Sequence, residues 1–244
     1  MQETYPLVPI ARIHTDFPEK FGIPRQSGLV PDLEATILFE PPFRNPDALR
    51  GLEGFSHLWL IWQFSTVVAA GADGEHWRPT VRPPRLGGNT RMGVFATRSP
   101  FRPNAIGLSC VELREIRLHT DQGPLLRVAG ADLLDGTPIF DIKPYLPYVD
   151  AHPDARGGFA AASEDYALAL DFPPALLDRV PAEKRAALEG VLANDPRPAY
   201  QQDPGREYGM SFAGLRVRFR VRDGVLTVTG VEEENDNPDG GRRP

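Results

Sequence analysis

Arginine, proline and glycine are interleaved with few large apolar side chains from Trp77 to Gly107. Between Arg78 and Arg102 lie six arginines (Arg78, Arg82, Arg85, Arg91, Arg98 and Arg102) and no aspartate or glutamate. A guanidinium grips phosphate or carboxylate through paired hydrogen bonds, glycine lets backbone amides approach an anion, and proline holds a loop open. The stretch therefore suits an anionic ligand, although the plainer reading of any charge run is a solvated loop. A second cluster, Ala131-Asp-Leu-Leu-Asp-Gly-Thr-Pro138, directly follows a strand pattern. Its Asp132 and Asp135 either serve turn geometry or offer carboxylates to ribose hydroxyls, an amine or a cationic ligand. The third, Pro24-Arg-Gln-Ser-Gly28, reads on its own as a glycine-containing turn.

Other chemistries find little footing. No Gly-x-Gly-x-x-Gly opens a helix after a strand and no Gly-x4-Gly-Lys-Ser/Thr occurs, so the common nucleotide folds lack support. Cys110 is the single cysteine, and His14, His57, His76, His119 and His152 are scattered, so neither a disulfide nor a metal site is expected. Cys110 and His57 fall inside strand patterns and read as packing residues. With no apolar run near ~20 residues and no basic, apolar leader, the expected compartment is the cytoplasm and no membrane partner is expected. The formal net charge of −6 argues against indiscriminate nucleic-acid binding, so the local arginine cluster is the informative feature.

The elements that must position these loops are mostly strands. Leu7–Ile13, Ala35–Phe39, His57–Phe64, Gly93–Thr97, Ile106–Leu113 and Leu125–Val128 are short apolar or alternating runs separated by turn residues. Without amphipathic helices between them, they predict a barrel or sandwich and not a doubly wound sheet. Pro138–Pro153, with four prolines, predicts an ordered extended loop. A helix is predicted over Pro181–Ala193, with Ala186, Leu188, Val191 and Leu192 apolar and Pro181 as its first residue. Asp195-Pro-Arg-Pro-Ala-Tyr200 should be rigid and non-helical. From Leu215 a hairpin turns at Asp223-Gly224, with Leu215, Val217, Phe219 and Val221 on one face and Arg216, Arg218, Arg220 and Arg222 on the other. A boundary within Gly157–Ser163 then separates a β-rich unit, 5–158, from a small α+β unit, 163–232, and Glu233–Pro244 read as a disordered tail.

Taken together, these segments resemble the TrmO family of tRNA methyltransferases, also called TsaA-like or YaeB. The resemblance runs through Lys20–Val30, Arg50–Trp59, Trp77–Gly107, Asp132–Pro138, Asp141–Pro147 and Asp195–Tyr200. It implies a mainly β fold: a non-Rossmann β-barrel that binds S-adenosyl-L-methionine, a small C-terminal α+β domain and a homodimer. The implied reaction is methylation of the N6 nitrogen of threonylcarbamoyladenosine, the purine 3′ to the anticodon. Cofactor contacts carry over to Gln26, Ser27, Gly28, Ser65, Thr66, Arg98, Leu108, Asp132, Leu133, Leu134 and Asp135. Ser65 and Thr66 stand where family members have His and Gln, which leaves the contact there to backbone.

Within that resemblance, Arg98 pairs with the methionine carboxylate or a phosphate, Leu108 packs on adenine, and the Asp132–Asp135 turn takes ribose or amino hydrogen bonds. The acceptor nitrogen must lose a proton, for which Asp135, Asp141 or the substrate's own threonine carboxylate are the candidates. Arg78, Arg82, Arg85 and Arg91 are candidates for tRNA phosphates, with Arg216, Arg218 and Arg220 either extending the track or forming a solvated strand face. Two alternatives stay open: a related enzyme with another RNA or small-molecule acceptor, and a non-catalytic RNA-binding module.

Overall fold

Six strands close into an antiparallel barrel in the order β1-β2-β7-β6-β3-β8. They are β1 (Ala11–His14), β2 (Glu34–Phe39), β3 (His57–Gln63), β6 (Ile106–Arg117), β7 (Leu125–Ala129) and β8 (Thr137–Pro144). A two-stranded ribbon, β4 (Thr80–Val81) with β5 (Met92–Gly93), stands apart from the barrel sheet. The computed structural model describes residues 5–66, 77–83, 86, 89–163, 166–197, 203 and 205–234. Alternation along each strand sends one set of side chains inward, and Ala11, Ile13, Ile37, Leu58, Leu60, Val111, Leu126, Val128 and Ile139 fill the barrel.

Two expectations need correction. Gly93–Thr97 is not a strand: pairing ends at Gly93, and Val94–Ala96 form a 3-10 turn whose Val94 carbonyl accepts the Thr97 amide and hydroxyl. Nor is Pro138–Pro153 a loop, since it contains β8 and a short helix, α1 (Pro147–Asp150). Both strand prolines sit where no donor is needed. Ile139 bonds toward β1 and Tyr145 toward β3, so the nitrogens of Pro138 and Pro144 point to the opposite sides, beyond the paired stretches. Smaller differences are that β1 starts at Ala11 and β6 runs on to Arg117.

Gly107 of β6 lies opposite Trp62 of β3, and a Cβ there would overlap the indole ring. The indole cannot retreat freely, because its Nε1 donates to Ser109 Oγ at 2.9 Å and its ring packs on Phe64 with centroids 4.3 Å apart. Gly107→Ala is expected to destabilise the protein by about 1–3 kcal/mol, read from denaturant unfolding. An unchanged midpoint would mean the ring has room to move.

The second sheet has the order β10-β11-β12-β9, from β9 (Ala169–Asp171), β10 (Tyr208–Phe212), β11 (Leu215–Arg222) and β12 (Val225–Glu233). Helices α2 (Pro174–Leu177) and α3 (Ala182–Ala193) accompany it; Pro181 is the cap of α3 and not its first residue. The buried stripe of α3 is Ala187, Leu188, Val191 and Leu192, with Ala186 exposed instead. The β11–β12 turn is at Asp223-Gly224, both with positive φ as a two-residue hairpin requires. Glu233 completes β12, and the Glu234 amide bonds the Gly214 carbonyl; residues 235–244 of the expected tail lie outside the described residues.

The second core also takes in Phe17, Val30 and Leu33 from the segment between β1 and β2. Asp16 and Glu19 fasten that segment with a 2.7 Å ion pair to Lys184 and a 2.9 Å pair to Arg216. The loop at residues 24–28 is thereby held between the barrel and the second sheet. Among the described residues no helix is long and apolar enough to cross a membrane.

Candidate functional site

Strand β6 is longer than its neighbours. It pairs with β3 over residues 106–112 but with β7 only from Glu112 onward. The edge of residues 106–111 that faces away from β3 is therefore left to other partners, and the 24–28 loop meets it at Cys110. Ser27 Oγ accepts the Cys110 amide at 3.1 Å. By the two-residue period of a strand, the amide and carbonyl of Leu108 face the same edge. The Leu108 side chain is 54% exposed beside it.

The loop reaches this edge by passing over the turn after β7. The Gly28 amide donates to the Gly130 carbonyl at 2.8 Å, and a Cβ on Gly130 would come within 3.3 Å of Gly28 Cα. Both glycines have positive φ, so neither position tolerates a larger residue without strain.

Three of the chemically suggestive segments converge here. Arg98 Nη1 donates to Gln26 Oε1, and Asp132 lies within electrostatic reach of Arg98. Asp132 accepts the Ser109 hydroxyl at 2.5 Å and lies within electrostatic reach of the Ser27 backbone amide. Burial pushes the Asp132 carboxyl above its ordinary pKa; the Ser109 hydrogen bond, its own amide, Arg98 and the Ser27 amide oppose this without cancelling it. A chain of hydrogen bonds thus runs from the Trp62 indole through Ser109 to Asp132, whose carboxylate lies beside the loop. The arrangement offers a cation for a carboxylate, a buried acid, and free strand-edge backbone at Leu108 for a planar base. Those are the groups a ligand with an amino-acid head and an adenosine tail requires.

The remaining expected residues are placed differently. Leu133 is buried in the barrel core and Leu134 gives its carbonyl to Thr137. Asp135 turns away from Asp132, accepting the Thr15 amide at 3.0 Å and meeting His14 Nδ1 at 3.2 Å. Asp141 of β8 pairs with Lys143 at 2.9 Å, and its register puts it in one cross-strand row with Ile61 and Leu108 on the outer face of the barrel. Ser65 and Thr66 follow β3 at the end where the Phe64 amide bonds Ala105. Arg78, Arg82 and Arg91 are exposed on and beside the β4–β5 ribbon, and Arg85 lies outside the described residues. Arg216, Arg218 and Arg220 each have an acidic partner: Glu19, Glu232 and Glu207. An open hollow of about 440 Å³ lined by His14, Thr15, Arg117, Arg127 and Lys184 lies toward the Arg117 end of β6 and shares no residue with the Asp132 cluster.

Sequence reasoning passed over Ser109, Gly130 and Trp62. The available signal was an inward-facing serine in an apolar barrel strand, since a fully buried hydroxyl needs partners. Cys110 is half-buried, and burial and the Asp150 carboxylate push its thiol up, which keeps it protonated.

Comparison with known proteins places this geometry in context. Residues 12–151 match the family profile described as tRNA-methyltransferase O N-terminal domain, and residues 166–234 match the TrmO C-terminal domain. An Escherichia coli K12 protein named tRNA (adenine(37)-N6)-methyltransferase is 44% identical over 231 residues, covering 91% of this chain and 96% of that one. A Pseudomonas aeruginosa protein, provisionally named an S-adenosylmethionine-dependent methyltransferase, is 43% identical over 237 residues, covering 93% and 98%. The crystal structure of TrmO from Pseudomonas aeruginosa superposes with a TM-score of 0.73 at 36% identity, covering 94% of this chain and 100% of that one.

Proposed function

The chain belongs to the tRNA-methyltransferase O (TrmO) family, and from that premise we propose that it transfers a methyl group from S-adenosylmethionine to the N6 nitrogen of threonylcarbamoyladenosine, 3′ to the anticodon of tRNA. The observation that carries the reading is the convergence of the 24–28 loop, Arg98 and Asp132 on the open edge of β6.

Arg98 and Gln26 would hold the methionine head, the Leu108 edge the adenine, and the Ser27–Gly28 backbone the ribose between them; Ser65 and Thr66 close the far end. The donor supplies an electrophilic methyl on a sulfonium. The protein's contribution is to hold the acceptor nitrogen in line with that methyl, and a frame of glycine crossings and prolines is rigid enough for positioning to supply much of the rate. For the proton, Asp141 is the better placed carboxylate: it shares the Leu108 row, about 10 Å away at the usual strand spacing. Asp135 is occupied by Thr15 and His14. The substrate's threonine carboxylate is the remaining acceptor.

Arg78, Arg82 and Arg91 are the first candidates for tRNA phosphates. Arg216, Arg218 and Arg220 would have to leave their glutamates to join them. The same reading includes a homodimer acting in the cytoplasm without a metal ion, a barrel unit over 5–158 and a C-terminal unit from 163. These parts rest on family kinship. Transfer of labelled methyl to tRNA with and without the threonylcarbamoyl group tests the proposal: label is expected only in the modified tRNA. Saturable donor binding with no transfer to either would redirect the search to another acceptor, and RNA binding without donor binding would favour the non-catalytic module.

A further inference from the structure

Three large rings are held out in solvent beside the candidate site. Trp77 is 40%, Phe95 70% and Phe101 59% exposed. Trp77 and Phe95 face each other with centroids 5.7 Å apart at 37°, and the Arg102 guanidinium lies over the Phe95 ring, 6.0 Å from its centroid. The backbone enforces this display. The Val94 amide bonds the Pro79 carbonyl at 2.9 Å and the Val94 side chain is buried, so the tight turn at Val94–Ala96 throws Phe95 outward. Arg102 is fixed by a 3.1 Å bond to the Thr97 carbonyl. Arg98, in the same segment, reaches Gln26, so the aromatic surface borders the proposed donor site.

The charge around the rings identifies the occupant. Arg78, Arg82 and Arg91 are exposed on this ribbon, and no acidic residue occurs from Arg78 to Arg102. Two copies of so uniformly cationic a patch would repel across a two-fold axis, whereas a polyanion bearing flat rings matches both its charge and its shape. Unpaired bases stack on such side chains while the backbone runs along the arginines. We propose that Trp77 and Phe95 form a platform that stacks an unpaired base of the anticodon loop next to the nucleotide being methylated. This rests on the RNA-methyltransferase reading and assigns the acceptor side of its site.

The test uses the full chain and an anticodon stem-loop carrying threonylcarbamoyladenosine, with 2-aminopurine at the adjacent loop position. Binding to the wild type should change the 2-aminopurine emission. Trp77→Ala/Phe95→Ala should abolish that change and raise KM for RNA about tenfold or more, the loss of one stacked base. Donor affinity should stay unchanged, and Trp77→Phe should restore most of the RNA affinity. Wild-type KM and emission change in the double variant would overturn the proposal. So would a fall in oligomeric state on sedimentation with KM unchanged, which would make the patch a contact between copies. If the wild type shows the emission change, lost in the double variant, but transfers no methyl, the platform stands and the enzymatic reading fails.

Discussion

Replacing Asp132 with alanine is expected to weaken binding of the methyl donor about 100-fold, with the barrel still folded. The reason is structural: the carboxylate accepts the Ser109 hydroxyl inside the barrel and lies within electrostatic reach of Arg98 and of the Ser27 amide in the donor loop. Hydrogen bonds to a charged group contribute about 1.5–3 kcal/mol each, and losing about 2.7 kcal/mol from the ordering of the 24–28 loop corresponds to that factor. Titration calorimetry of the donor is the measurement. Affinity within twofold of wild type, with intact cooperative unfolding, would show that the loop orders itself without Asp132.

A pH signature accompanies this effect. Because burial raises the Asp132 pKa, its charge, and with it donor affinity, should increase through a window reaching above the ordinary carboxylate range; Asp132→Asn should flatten the profile. The stability effect of this group has the opposite sign. With the folded pKa above the unfolded one, its contribution is most favourable below the unfolded pKa and declines as pH rises to the folded value.

Asp195→Asn is expected to cost about 3–5 kcal/mol of stability, the usual consequence of leaving a buried charge without its partner. Asp195 accepts Arg197 Nε at 2.8 Å, Arg197 Nη2 at 3.0 Å and the Tyr166 hydroxyl at 2.9 Å. Asp195 and Arg197 are 8% and 11% exposed. Asparagine tolerates the φ of 53° at this position, so the variant removes the charge without adding backbone strain. Burial tends to raise the Asp195 pKa, but the Arg197 and Tyr166 bonds dominate and hold it below the ordinary range. The stability it provides is therefore present above the unfolded pKa, about 3.9, and lost as pH falls through the folded value. Denaturant unfolding at neutral and acidic pH checks both statements: the variant should lose stability at neutral pH and lose less of it on acidification than wild type. Equal midpoints at neutral pH would mean that Arg197 finds water or another anion. Because the Arg197 carbonyl holds Arg25 Nη2 at 2.8 Å, loosening this cluster also reaches the donor loop.

The barrel was readable because its strands bury one face, which writes a two-residue alternation into His57–Gln63 and Leu125–Ala129. Where reading failed, a local rule was overridden by register. Pro138 and Pro144 argued for a loop but sit where the ladder asks for no donor. Ala213 has φ 50° in the tight β10–β11 turn, a position a glycine or asparagine would have advertised, and it is held there by the Asp16 carbonyl. At the site, the pieces with unusual composition could be named in advance. Their convergence could not, since it depends on β6 outrunning β7 and on Ser109 pointing inward. Equally hidden was the opposite facing of Asp132 and Asp135, three residues apart on a turn that crosses the barrel.

The most direct test of the proposed methyl transfer is nucleoside mass analysis of tRNA bearing threonylcarbamoyladenosine after incubation with this protein and S-adenosylmethionine. One added methyl is expected on that nucleoside, located by fragmentation at N6, and none in tRNA lacking the threonylcarbamoyl group. A methyl on any other nucleoside, or none despite saturable donor binding, would contradict it.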